Sequence, residues 1–300
     1  MYVVTGASGN TGSVVAHTLL DRGKQVRVIG RKADHLRQLT DRGAEAVIAE
    51  LTDTAALARA FSGAEAVYAM IPPNSSLPDI YAYDERITTS LVSALRDAGV
   101  RNVVSLSSIG ADKPSGTGLV LGLHRQEQAL NGINGLNVLH LRAGYFMENT
   151  LSQAGLIHAM GSTAGPLRAD LKLPMIATRD IGMAAAEALL RLDFQGHQTR
   201  ELLGQRDISY AEVASIIGRA IGRPDLKYVQ SGHEQLRPTL VQMGMSRNFI
   251  DLLLEMTDAL NSGHMKALEQ RNPRNTTPTS FESFVEEKFV PEYRKAPQAA

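Results

Sequence analysis

Residues Val4–Gly12 read VTGASGNTG, closing the apolar, strand-like run Tyr2–Thr5 and opening the helix-like stretch Thr11–Arg22. Gly6, Gly9 and Gly12 are spaced G-x-x-G-x-x-G. At a strand–helix junction each glycine has a use. One permits the sharp turn, another lets backbone N–H groups approach a pyrophosphate, and a third lets the helix pack close to the strand. The positive end of the helix then points at the phosphates. Ser8, Asn10 and Thr11 add hydroxyl and amide donors. Any tight turn favours glycine. The triplet gains its meaning from its place at the first βα junction of an alternating chain.

The alternation is plain. Short apolar runs predict strands at Tyr2–Thr5, Gln25–Ile29, Ala44–Ala49, Ala66–Ile71, Asn102–Leu106 and Asn137–Leu141. Between them, spacing predicts helices at Thr11–Arg22, Ala33–Arg42, Thr54–Phe61, Tyr81–Ala98 and Leu121–Leu130. Gly23, Gly43 and Gly99 stand where helix C-termini want glycine. Such a chain folds as a Rossmann-type, doubly wound parallel α/β sheet with right-handed crossovers. Beyond about residue 145 the pattern loosens. Helices are expected at Arg179–Leu192, Tyr210–Ile221, Glu234–Met243, Asn248–Leu260 and Ser280–Lys288, with single strands near Leu173–Ala177 and Glu201–Leu203. The expected division is a dinucleotide-binding domain over 1–150, rejoined by later segments, and a smaller, mostly helical cap over 151–300. Arg294–Ala300 reads as a mobile tail.

With 300 residues, 43% hydrophobic and 21% charged, the chain has the composition of a globular protein with a large core. Lys+Arg and Asp+Glu both total 31, which argues against a binder driven by phosphate neutralisation along nucleic acid. Cys is absent, so disulfides, thiolate nucleophiles and Cys-ligated metals are excluded. The remaining histidines, among them His158, His197, His233 and His264, lack metal-ligand spacing. The N-terminus has no signal-peptide pattern, and no apolar stretch reaches the ~18 residues of a membrane span. The expectation is a cytoplasmic protein, monomer or homodimer, without metal, nucleic-acid or membrane partners.

The end of the second strand narrows the dinucleotide. An acid there commonly holds the adenosine ribose 2′-OH. Here VRVIGRK places Gly30 at that point, followed by Arg31 and Lys32. Two cations without a carboxylate suit a 2′-phosphate, and so point to NADP(H). The competing reading is a pair of solvated loop charges. Glu50 and Leu51, after the third strand, are placed to border the adenine, whereas Asp53 reads as a helix N-cap.

With these residues located, the chain resembles the NmrA-like branch of the atypical short-chain dehydrogenases/reductases. The matching segments are TGASGNTG, VRVIGRK, MIPPN, LSSIGAD, LRAGYFMEN, IATRDIG, LLEMTDALNSGH and TSFESFVEE. The resemblance implies a Rossmann fold, an NADP(H) site and a substrate cleft between two lobes. It also implies that the loop Ile71-Pro72-Pro73-Asn74 lies along the cofactor's ribose and nicotinamide, with Asn74 expected at the substrate; the competing reading is an ordinary Pro turn. The family includes quinone- and azo-type reductases, and regulators that bind the dinucleotide without oxidising it.

Ligands of doubly wound folds bind beyond the C-terminal ends of the strands. Ser107 and Ser108 end the fifth strand, where their hydroxyls either reach nicotinamide and substrate or cap the loop. Tyr145, Phe146 and Asn149 follow the sixth strand as cleft candidates, with Phe146 and Met147 equally suited to the core. The Tyr-x-x-x-Lys pair of ordinary short-chain dehydrogenases is missing: none of the eight tyrosines has Lys four residues on. Aligned on Glu127, Leu123 takes the lysine's place and His124 stands beside it. Three readings stay open: His124 or Tyr145 handles a proton, the acceptor needs no help, or there is no turnover. Lys113 lies in a nearby loop, and Asp180 reads as a cap for the helix behind it. The leading expectation is an NADPH-dependent oxidoreductase acting on a small conjugated acceptor. The alternative is an NADP(H)-binding redox sensor.

Overall fold

The computed structural model describes residues 1–295. Its core is a seven-stranded, all-parallel sheet, β10-β6-β5-β4-β1-β2-β3. The strands are β1 (Tyr2–Val4), β2 (Val26–Gly30), β3 (Glu45–Ile48), β4 (Ala66–Ala69), β5 (Asn102–Ser108), β6 (Asn137–Ala143) and, far along the chain, β10 (His197–Leu202). Strand order reverses between β1 and β4, which opens a crevice at their C-terminal ends.

Alternation of side chains sorts the core into two layers. Tyr2, Val4, Val28, Tyr68 and Val104 face one way, onto α1 (Asn10–Asp21) and α7 (Thr178–Arg191). Val3, Ile29, Val67, Ala69 and Val103 face the other, onto α3 (Thr54–Phe61), α4 (Ile80–Asp97) and α5 (Leu121–Asn131). A short 3₁₀ turn, Ala33–Leu36, leads into the one-turn α2 (Arg37–Thr40) where a continuous helix was expected. The inner strands β1 and β4 are buried throughout, as their apolar runs require. The edge strand β3 is mostly exposed.

The remaining elements form a lobe with its own core, including Met147, Met175, Ile217, Phe281 and Phe289. Its strands are β7 (Tyr145–Phe146), β8 (Thr163–Gly165), β9 (Leu173–Ile176), β11 (Asp207–Ile208) and β12 (Tyr228–Gln230). They pair as two small sheets, β11-β9-β7 and β12-β8. Its helices are α6 (Gln153–Met160), α8 (Tyr210–Ala220), α9 (His233–Gln242), α10 (Arg247–Asn261), α11 (Phe281–Phe284) and α12 (Val290–Lys295).

Three expectations change. The strand expected at Glu201–Leu203 is the end of β10, which pairs in register with β6 (His197↔Val138 to Leu202↔Ala143) and completes the large sheet. The stretch without expected elements after residue 145 holds β7, a 3₁₀ segment at Met147–Ser152, α6 and β8. The single helix expected at Ser280–Lys288 instead widens into a π segment, Val285–Phe289, between α11 and α12. Pro291 has no N–H to return to the preceding turn, and the widening lies just before it. The expected tail begins inside α12; residues 296–300 lie outside the described residues.

Candidate functional site

The glycine turn lies at the reversal point of the sheet. Gly6 has φ +60, a left-handed conformation that only glycine adopts at low cost, and its carbonyl accepts from Gly9 N at 2.9 Å. A Cβ at Gly12 would lie 2.3 Å from Gly6 O, so α1 packs on the turn with no space for a methyl group. Thr5 ties the two inner strands together: its hydroxyl donates to Tyr68 O at 3.0 Å and accepts from Met70 N at 3.2 Å. Ser8, Gly9 and Asn10 are exposed, and Gly9 caps α1 without a side-chain acceptor. The first N–H groups of α1 therefore lack a side-chain cap, as an anion-binding helix end requires. Thr11 is buried and its hydroxyl accepts from Tyr68 Oη at 3.0 Å, so among the expected side-chain donors Ser8 and Asn10 are the outward-facing ones.

Arg31 and Lys32 follow β2 and are both exposed. Glu50 is exposed nearby: both Arg31 and Glu50 act electrostatically on Tyr83 of α4, whose phenol is pushed up chiefly by burial. Leu51 is buried among the residues beneath α3 and α4, which leaves its backbone rather than its side chain for any ligand. Asp53 caps α3, accepting from Ala56 N at 2.9 Å.

In the loop after β4, Ile71, Pro72 and Asn74 are half-buried and Pro73 is exposed. The Asn74 side-chain oxygen is engaged locally, accepting from Ser76 N at 3.3 Å and Ser76 Oγ at 2.9 Å. The start of α10 fastens this loop, with Ser246 N donating to Ser75 O at 2.8 Å.

At the ends of β5 and β6 both serine hydroxyls are engaged within the protein, Ser107 in a buried network. Ser107 is buried, and its Oγ donates to Glu127 Oε1 at 2.6 Å. The same carboxylate of α5 is forked by Arg142, the register partner of Ser107. Ser108 donates to Ile109 O at 3.0 Å. His124 is half-buried with Nδ1 2.8 Å from the Ala111 carbonyl, so that nitrogen carries a proton and donates. Lys113 pairs with Asp112 at 2.9 Å.

Tyr145 and Phe146 form β7 at the mouth of the lobe, both half-buried, with Asn149 exposed beyond them. Phe146 packs against the core under α1 and α7, and Met147 is fully in the lobe core. Tyr210 Oη donates to Tyr145 Oη at 3.3 Å. Burial raises the Tyr145 phenol, while Tyr210 and the Asn149 amide pull it back down.

Several residues at this edge carry no local sequence pattern, Glu148 among them. Its carboxylate accepts from Thr178 N at 3.0 and 3.1 Å and from Thr178 Oγ1 at 2.6 Å, and so caps α7. Asp180 does not cap that helix, whose N-cap is Ala177. It is buried in the first turn and accepts from Thr279 N (3.0 Å) and Oγ1 (2.6 Å), fastening the segment before α11. Asn10, Ser13, Glu148, Thr178, Arg179 and Lys288 border a cavity of about 290 Å³ beside the glycine turn. Among the described residues, no group of three or more His, Cys, Asp or Glu is gathered as metal ligands. Among the described residues, no helix is long and apolar enough to cross a membrane.

Known proteins resemble this chain in sequence or in fold. An NAD(P)H azoreductase of Xenophilus azovorans is 30% identical over 260 residues, which cover 85% of this chain and 86% of that protein. An NADPH-dependent quinone oxidoreductase of Escherichia coli, solved with NADPH, superimposes with a TM-score of 0.81 at 22% identity, over 96% of this chain and 100% of its own. A triphenylmethane reductase of Citrobacter sp. gives 0.78 at 20% identity, over 96% and 99%. A profile of the NmrA-like family matches residues 2–285, nearly the full length. The chain belongs to the NmrA-like family.

Proposed function

We propose that the protein is an NADPH-dependent reductase of small conjugated acceptors such as quinones, azo compounds and enones. The observation that carries this reading is the pairing of two features at the C-terminal edge of the sheet. One is the glycine turn at the sheet reversal, with Ser8, Gly9 and Asn10 exposed at the uncapped start of α1. The other is the exposed Arg31–Lys32 pair behind β2. The residues fit the group. The turn excludes a side chain at Gly12 and offers N–H groups to a diphosphate. Arg31 and Lys32 offer cations to a 2′-phosphate. The activities named for the azoreductase and the quinone oxidoreductase agree with this cofactor and acceptor class.

The bound dinucleotide would supply the hydride. The chain supplies position and a sheltered edge. Ser8 and Asn10 hold the diphosphate, and the Ile71–Asn74 loop, fixed by α10, borders the ribose. Tyr145, Phe146 and Asn149 bound the acceptor from the lobe side, and Ser108 from the end of β5. Aromatic and apolar surface there suits a flat, uncharged acceptor.

The test is NADPH oxidation against a panel of quinones, azo dyes and enones. Turnover on one or more supports the reductase. Tight NADPH binding without turnover on any member would favour the sensor reading instead.

A further inference from the structure

Reduction of a neutral acceptor needs a proton as well as a hydride, and several polar groups nearest the sheet edge are engaged within the protein, His124 through Nδ1 alone. Ser107 donates to Glu127, Ser108 to Ile109 O, Lys113 to Asp112, and His124 Nδ1 to Ala111 O. Resting on the reductase reading, we propose that Tyr145 is the proton donor, its hydroxyl aimed by Tyr210.

Tyr145 lies two residues beyond the end of β6, at the edge where ligands of this fold bind. It is half-buried, so part of it is open. Tyr210 Oη donates to its oxygen at 3.3 Å. A phenol oxygen that accepts from its neighbour keeps its own O–H free to point at a ligand. The support is stiff. Tyr145 is paired through β7 with Met175. Its ring meets Tyr210 edge-on at 6.2 Å, and Tyr210 lies 4.8 Å from Tyr228, whose hydroxyl is fixed to Leu167 O at 2.9 Å.

Burial raises the Tyr145 phenol above its ordinary value, which favours its neutral, proton-bearing form, and the hydrogen bond from Tyr210 opposes that rise. The Tyr210 hydroxyl stabilises the phenolate left behind. In the step, a hydride bearing two electrons forms a C–H or N–H bond on the acceptor. The acceptor π pair moves to its far oxygen or nitrogen. The Tyr145 O–H bond breaks as its proton goes to that atom, and the phenolate is reprotonated by water. The dinucleotide is oxidised and the acceptor reduced.

Two acceptors separate this role from a structural one. An azo dye needs hydride and proton; a cationic triarylmethane dye takes hydride alone and becomes neutral. Tyr145→Phe should lower the ratio of azo to cationic-dye kcat by about a hundredfold, as loss of a general acid does. Tyr210→Phe should lower it less. In cofactor-free protein labelled with ¹³C-tyrosine, Tyr210→Phe should move the Tyr145 NMR titration to higher pH. An unchanged ratio in Tyr145→Phe, or an unmoved titration in Tyr210→Phe, would overturn the proposal while leaving the reductase reading intact. Absence of turnover by the unsubstituted protein on every acceptor would remove both.

Discussion

The Arg142 guanidinium grips the Glu127 carboxylate with two parallel bonds, Nε to Oε1 at 3.0 Å and Nη2 to Oε2 at 2.6 Å. The Glu127 side chain is 2% exposed and that of Arg142 13%. An ion pair this dry is costly to break from one side, because the partner is left charged and unpaired. Glu127→Leu should therefore destabilise the fold by about 3–5 kcal/mol in urea unfolding. Removing both charges in Glu127→Leu/Arg142→Leu should recover much of that loss. A double variant as unstable as the single one would show that the pair contributes more than mutual neutralisation.

Asp84 on α4 is buried against Gly122 of α5, where a Cβ would lie 2.1 Å from Asp84 Oδ2. Burial pushes its carboxyl from 3.8 up to about 7, with Arg125 opposing. The folded protein holds this proton more tightly than the unfolded chain. Ionisation therefore destabilises, and the contribution falls as pH rises from 3.8 to about 7. His140, pushed down by burial from 6.5 to about 4, has the opposite slope in its own window, losing stability as pH falls. It is common to both proteins and cancels in a difference. Asp84→Asn should be more stable than the parent at pH 8, by roughly 2–4 kcal/mol, with the gap closing toward pH 4. A pH-independent gap in urea midpoints would contradict the assignment.

Gly12→Ala places a methyl group against the Gly6 carbonyl, a backbone atom that cannot move without opening the turn. Overpacking of this kind costs about 1–3 kcal/mol. The turn would also lose its shape, so NADPH affinity should fall tenfold or more. Calorimetric titration and thermal unfolding read the two effects separately.

His124→Ala removes the bond to the Ala111 carbonyl and should cost about 1 kcal/mol. The pH profile of turnover should keep its shape, since the proton is assigned to Tyr145. Loss of one limb of that profile would return His124 to the chemistry.

Much of the sheet was readable because buried parallel strands are unbroken apolar runs, as in β1 and β4, and because Gly23, Gly43 and Gly99 mark helix ends. β10 was legible only at its tail. Its segment HQTREL is polar because the first half of this edge strand is exposed. The glycine turn and the basic pair were equally plain, since each is a local pattern of adjacent residues. Glu127, Glu148 and Tyr210 carry no such pattern. Their partners Arg142, Thr178 and Tyr145 lie 15, 30 and 65 residues away, and only the fold brings them together. Thr11 shows the converse: a residue in the right motif whose hydroxyl is turned inward to Tyr68.

The amino-terminal turn and the cations behind β2 are assigned to a phosphorylated dinucleotide. Isothermal titration of the unsubstituted protein and Arg31→Ala with NADPH and NADH tests this assignment directly. NADPH should bind the parent more tightly, and Arg31→Ala should weaken NADPH several-fold or more while leaving NADH nearly unchanged. Equal losses for both nucleotides would contradict the 2′-phosphate assignment, and no saturation with either would contradict the site itself.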